Sequence, residues 1–339
     1  MRRHSPARRA TVLAGAAALS LVLAACGGED GAAESEDGPD TVTFSADNGE
    51  IEIPADPERV VATGYAVPVL LEVDAPLVGI SEWGRGTALM TEEDLATYEE
   101  TPKVMGESAD SINYDAVAAA EPDVIILGVP LPVLGDVNME RLETIAPVVV
   151  LGPGRPDDWK DLGARQSEAA GASEQYAENQ EAYEARAAEL TDKYADVLEG
   201  LDFGHVGSYG DVTAGQFHRE FAGSWGTNIA TDIGVTYYGE VKDPTDGGSA
   251  EVSEYPSIEE LPDSLGDADV ITYSVQGDGT PVEAVQYVLD SPLWKNLPAV
   301  EDGMAVGVRH TEAATYASAM QTLDALDAAF EEAFAEELE

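Results

Sequence analysis

The chain holds 339 residues with 17 Lys and Arg against 66 Asp and Glu, a formal net charge of −49 at pH 7, and one cysteine. So acidic a surface repels nucleic acid and anionic lipid, which excludes both as partners held by charge alone. A lone cysteine excludes an internal disulfide, and roughly 300 foldable residues exceed one usual hydrophobic core, so two lobes are expected.

The chain begins with a basic stretch holding Arg2, Arg3, Arg8 and Arg9, followed by an uncharged apolar run from Ala10 to Ala25. This is the layout of an export signal, and the run falls short of the ~20 residues a spanning helix needs. Leu23-Ala24-Ala25-Cys26 resembles the bacterial lipobox, so 1–25 is read as a lipoprotein signal peptide and Cys26 as the lipidation site and mature N-terminus. The four arginines leave with the peptide, so 13 of the 17 basic residues remain against 66 acids, and no thiol is left for a metal or a nucleophile. The lipid on Cys26 is then the one covalent group expected, and it would hold so acidic a chain at a membrane. Residues 26–40 carry GGEDGAAESEDGPD after the cysteine, without a β-branched or aromatic residue, and are read as a disordered tether.

Folding is expected to begin at Thr41, where TVTFSADNGEIEIP alternates apolar and polar residues around Asn48-Gly49, a hairpin turn pair. Strand-length apolar runs follow at 60–62, 77–80, 124–127 and 148–151. Their unbroken apolarity suits strands buried on both faces of a parallel sheet covered by helices. The segment from Ser173 to Gly200 places Tyr176, Tyr183, Ala187, Leu190, Tyr194 and Val197 at helical spacing, with Ser173 as N-cap and Gly200 as stop. This predicts a helix of about 40 Å, a strut between lobes, with its tyrosines used for packing. Further strands are expected at 206–209, 235–238, 270–273 and 305–308. The reading is therefore α/β: an N-terminal lobe over 41–172, a linking helix over 173–200 and a C-terminal lobe over 201–339. NYDAVAAAEPDVIIL from Asn113 and SIEELPDSLGDADVITY from Ser257 repeat one order of cap, short helix, break and strand.

Enzyme chemistry lacks its parts. Ser208 and Ser224 have no glycine two residues before them, so the G-x-S-x-G elbow is missing, and no phosphate-binding G-x-x-x-x-G-K-[ST] loop occurs. His205, His218 and His310, the histidines beyond the signal, follow no metal-ligand spacing, so no metal site is expected.

The motifs PERVVATG at Pro57, DAVAAAEPDVII at Asp115, IAPVVVL at Ile145, SIEEL followed by ADVI, and SPLWKNLPAVEDGMAVGV at Ser291 run in order around the linking helix. Together they resemble the iron-siderophore and cobalamin type of ABC-transporter substrate-binding proteins. The resemblance implies two Rossmann-like lobes joined by one long helix, a ligand cleft between the lobes, and a ferric chelate handed to an ABC permease powered by its ATPase. It further implies a monomer at the outer face of the cytoplasmic membrane. It also implies that Asp115 and Glu259, each near the start of its short helix, pair with arginines on the permease. The alternatives are a haem, cobalamin or direct metal receptor, a sensor lipoprotein of the same fold, and a lipid-anchored hydrolase.

In open parallel sheets ligands collect beyond the carboxyl ends of the strands. The candidates there are Tyr65, Trp83 and Arg85 in the first lobe and Tyr209, Ser274, Gln276 and Arg309 in the second. Rings supply flat apolar area and guanidinium donates to hydroxamate or carboxylate oxygens. A triply anionic catecholate complex would need a strongly basic cleft, so a ferric hydroxamate is favoured. Hydroxamate-binding relatives can carry an arginine just before the helix near Asn113; GESADSI stands there instead, leaving Arg85, Arg219 or Arg309 to take its place.

Overall fold

The structure, a computed structural model, describes residues 40–245 and 247–338. The signal segment, Cys26 and nearly all of the tether lie outside the described residues. Folding starts with the hairpin of β1 (Thr41–Ala46) and β2 (Gly49–Pro54), in register from Thr41↔Pro54 to Ala46↔Gly49. The two-residue turn is Asp47-Asn48, one position earlier than the sequence suggested, because Gly49 with φ +117 takes the first strand position. Asn48 then anchors the hairpin to the first lobe, donating to Val148 O at 3.0 Å and accepting from Val150 N at 3.0 Å.

The apolar runs of the first half form β3 (Val60–Gly64), β4 (Leu77–Ser81), β5 (Lys103–Met105), β6 (Val124–Gly128) and β7 (Val148–Val150). They pair in the order β5-β4-β3-β6-β7, all parallel. The second lobe repeats that order with β8 (Phe203–Val206), β9 (Arg219–Glu220), β10 (Ser253–Glu254), β11 (Val270–Val275) and β12 (Ala305–Arg309) in the sequence β10-β9-β8-β11-β12. Here β9 runs antiparallel to both β8 and β10. The two echoing segments hold the same place in each lobe, leading into β6 and β11. Asn113 caps its helix by accepting from Ala116 N at 3.1 Å, and Ser257 accepts from Glu259 N at 3.4 Å.

Two expected strands differ. The expected 206–209 strand is β8, three residues earlier, since the buried polar His205 is a strand residue that apolarity alone does not mark. The expected 235–238 strand is reduced to a single bridge between Tyr237 and Phe203. Along β8, β9 already pairs with His205 and Val206, so only Phe203 and Gly204 remain open on that edge.

The linking helix spans Ser173–Leu198, and its expected apolar stripe is buried at Tyr176, Tyr183, Ala187, Leu190 and Tyr194. Ala172, not Ser173, is the N-cap, because Gly171 with φ +73 turns the chain one residue earlier. The final helix, Tyr316–Ala333, lies along this strut, bound by Arg186 to Asp324 and Asp327 and by Lys193 to Asp327 and Glu331. One continuous apolar cluster takes in residues of both lobes, the linking helix and the final helix.

The final helix begins against the first lobe. The Glu72 carboxylate accepts from Tyr316 N at 3.2 Å and from Ala317 N, serving the free amides of the helix start. Burial pushes the Glu72 carboxyl up to about 7 although these amides favour its charge. Its folded value thus lies above the ordinary 4.5, and folding takes up a proton between the two. This contribution is complete below the lower value and is lost as pH rises through about 7. Glu72→Gln keeps an accepting oxygen without the titration. Urea unfolding between about pH 5 and pH 8 should therefore show a flatter stability profile for Glu72→Gln than for the parent; parallel profiles would refute the assignment.

Candidate ligand-binding site

In each lobe the strand order reverses beside the central strand, between β3 and β6 and between β8 and β11, and such switch points open a crevice at the carboxyl ends. At the first, Gly64 has φ +57 and a Cβ there would strike the Gly128 carbonyl, while a Cβ on Gly128 would strike Ala66 N. These two glycines let the ends of β3 and β6 close up, and Tyr65 N donates to Gly128 O at 2.8 Å. Tyr65 is thereby fixed at the mouth of the crevice.

Trp83, just beyond β4, is held by its backbone N–H donating to the Tyr98 hydroxyl at 2.8 Å. It meets Tyr65 edge-on with ring centroids 4.9 Å apart. The Arg85 guanidinium lies 4.0 Å from the Trp83 ring centre and 4.8 Å from that of Tyr65. Stacking of this kind leaves the in-plane N–H groups free to donate. From the opposite lobe Trp225 lies nearly parallel to Tyr65, with centroids 6.3 Å apart. These groups border an interlobe cavity of about 250 Å³ whose far wall includes Tyr209, His218, Glu220, Tyr255 and Glu312.

Four expected site residues, Tyr65, Trp83, Arg85 and Tyr209, line this cavity. Four others do not. Arg219 is fully buried and donates to the carbonyls of Glu220 and Tyr238, with its guanidinium against Phe221 and Tyr238. Successive residues of an extended chain face opposite ways, so on either side of Arg219 it is His218, just before β9, and Glu220 that face the crevice. Ser274 lies one layer beneath, 3.1 Å from His205 Nε2 and 2.8 Å from the Thr311 hydroxyl. Gln276 bonds Thr280 within its own loop, and Arg309 sits exposed beside Gly279.

Glu220 is the buried anion of the site. It accepts from the Ser224 hydroxyl at 2.6 Å, and His205 Nε2 stands 3.2 Å from its other oxygen. Burial raises this carboxyl, but the two histidines and Ser224 more than offset that and hold it well below the usual carboxylate range. His205 is oriented in turn by Thr272 at 2.8 Å. His218 stacks on Tyr255 with centroids 4.7 Å apart, and burial pushes its imidazole pKa down against the pull of the neighbouring Glu220 carboxylate. Both its ring nitrogens lack a hydrogen-bond partner among the described residues. Glu312 accepts from the Tyr209 hydroxyl at 2.8 Å, and burial raises its carboxyl.

Sequence reasoning missed Trp225, His218, Glu220, Tyr255 and Glu312. Trp225 in GSWG had a usable signal, a large ring between glycines, whereas Glu312 lies three residues past the end of β12, beyond the positions taken as candidates. Outside the cavity, Asp115 is exposed and paired with Arg141 at 2.6 Å. Glu259 is exposed and enters no ion pair among the described residues.

The chain belongs to the periplasmic binding protein family, whose model matches residues 60–307. The iron(3+)-hydroxamate-binding protein YxeB of Bacillus subtilis (strain 168) is 24% identical over 292 residues, 84% of each chain. The iron(3+)-hydroxamate-binding protein FhuD of the same organism is 27% identical over 293 residues, 84% of this chain and 85% of the relative. Among solved structures, the siderophore periplasmic binding protein from the fuscachelin gene cluster of Thermobifida fusca is 30% identical. That alignment covers 83% of this chain and 98% of the other, with a TM-score of 0.66. Members of the family are substrate-binding transport proteins rather than enzymes.

Proposed function

We propose that the protein captures a ferric siderophore, by preference a hydroxamate, in the interlobe cleft and delivers it to an ABC permease whose ATPase drives iron uptake. The observation that carries this reading is Arg85, stacked on Trp83 and Tyr65 at the mouth of the cleft opposite Trp225. Flat rings match the faces of a chelate, and the guanidinium edge donates to hydroxamate oxygens. The names of the relatives, two of them iron(3+)-hydroxamate-binding proteins, support the same cargo.

We assign the protein to the outer face of the cytoplasmic membrane, as a monomer held by a lipid on Cys26. The basic, apolar and lipobox segments before Cys26 support this. We assign permease docking to Asp115 and Glu259, supported by their exposure and by the matching place of their helices in the two lobes. Asp115 would exchange its Arg141 partner for one on the permease, at little cost for a pair this exposed.

Calorimetric titration with a ferric trishydroxamate tests the cargo. Arg85→Ala should weaken binding by about 1.5–3 kcal/mol, roughly 10- to 150-fold in Kd, and Trp83→Ala should also weaken it. Unchanged affinity in both variants would move the site elsewhere. Mass spectrometry of membrane-extracted protein should find an acylated peptide starting at Cys26, and an unmodified thiol on an intact Met1 chain would rule out the anchor. The Asp115→Ala/Glu259→Ala double variant should keep its ligand affinity and melting temperature while cellular iron uptake falls by at least about tenfold, the equivalent of ~1.4 kcal/mol. Normal uptake would leave both residues as helix-start carboxylates and nothing more.

A further inference from the structure

The charged side chains lining the interlobe cavity, among the described residues, are one base, Arg85, and three acids, Asp94, Glu220 and Glu312. Their duties differ. Asp94 accepts from the Thr91 hydroxyl at 2.7 Å at the start of the helix Glu92–Glu100, and Glu220 is tied to Ser224 and His205. Glu312 accepts from the Tyr209 hydroxyl at 2.8 Å, and it enters no ion pair with a basic side chain among the described residues. It is a half-buried carboxylate at the cavity wall whose charge lacks a cation in contact with it.

Beside it is a second observation that points to a ligand. His218 is 4% exposed, lines the same cavity, and has neither ring nitrogen bonded among the described residues. A neutral imidazole donates one hydrogen bond and accepts another, so His218 can meet a chelate oxygen without adding positive charge. Among the described residues that line the cavity, Arg85 is the one permanent cation. A ligand that brought net negative charge would therefore be desolvated against three carboxylates with one guanidinium to meet it.

We propose that this cleft is selective for ferric chelates that carry a pendant cation, an ammonium or guanidinium, and that Glu312 is the specificity residue that pairs with it. The proposal rests on the siderophore reading and adds to it the charge of the cargo. Tyr209, whose hydroxyl holds the Glu312 carboxylate, sets its direction, and the chelate core lies against the rings of Tyr65, Trp83 and Trp225. A pendant cation would regain from Glu312 the hydration it gives up on entering the cleft, while a neutral analogue with the same core would not.

A series of one ferric trishydroxamate core tests this: a linear chelate with a free terminal amine, its N-acetyl derivative and its N-succinyl derivative, titrated calorimetrically into the mature protein. The ammonium form should bind about tenfold more tightly than the acetyl form, and the succinyl form more weakly than either. Raising ionic strength from about 0.05 to 0.5 M should narrow the ammonium-to-acetyl ratio in the parent protein, a readout that needs no variant. In Glu312→Gln the ratio should fall to near one, whatever happens to each affinity separately. An acetyl form that binds as tightly as the ammonium form, or a tenfold ratio that survives Glu312→Gln, would overturn the charge selectivity and leave the siderophore reading standing. Failure of all three chelates to bind would overturn that reading and the selectivity with it.

Discussion

Tyr316 marks the joint on which the cleft depends. Its buried ring packs against Trp159 at 5.0 Å, Tyr176 at 5.1 Å and Tyr183 at 5.4 Å between centroids, while its amide donates to Glu72. The groups around it come from the first lobe, the linking helix and the final helix. Rings of this size dominate the energetics of a packed core and tolerate little displacement. The Trp159 indole also donates to Asn228 in the second lobe at 3.1 Å, and Lys160 reaches Asp232 there at 2.5 Å. A link of one helix could pivot freely, but with its inner face locked into this joint the separation of the cleft walls is set by packing. The cleft lining at Thr315 and Ser318 is part of the same helix start.

The same economy governs charge. Removing an ion from water into an interior is costly unless its hydrogen-bonding capacity is met. Glu220 meets that condition through Ser224 and His205, with Thr272 and Ser274 orienting the histidine. Gly207 and Gly226 make room for the cluster, since a Cβ on either would strike His218, Glu220 or His205. The acidity of the chain as a whole is a matter of surface; the acidity of the cleft is built into the fold. In a substrate-binding protein the first affects solubility and encounter, and the second bears on which cargo is held.

Most of the frame could be read from the residues because parallel strands buried on both faces are continuously apolar and the linking helix carries an apolar stripe. Val60 to Gly64, Val124 to Gly128 and the stripe from Tyr176 to Tyr194 are cases where local pattern and tertiary burial agree. The pattern gave way where polar groups are buried and satisfied at long range. His205 is a strand residue because Thr272, Ser274 and Glu220 meet its ring, and none of these is near in sequence. On the site, the strand-end rule located Tyr65, Trp83, Arg85 and Tyr209, since β3 and β4 run parallel in the first sheet and β8 runs parallel to β11 in the second. The same rule also named Ser274, Gln276 and Arg309, which do not line the cavity, while Arg219, offered as a replacement for the missing arginine, is buried on the two-residue antiparallel β9, whose register the residues do not announce. Trp225 and Glu312 come from loops, Trp225 stacking on Tyr65 of the opposite lobe and Glu312 held by Tyr209 of its own.

The central claim is that the cavity between the lobes is where a ferric siderophore is held. Hydrogen exchange of the mature protein with and without a saturating ferric trishydroxamate tests it most directly, because each amide reports its own protection. The account predicts slowed exchange concentrated at Tyr65, at 83–90, at 209–225 and at 312–318, with the outer helices unchanged. Protection confined to the outer faces of the lobes, or no protection under conditions where the chelate is bound, would contradict it.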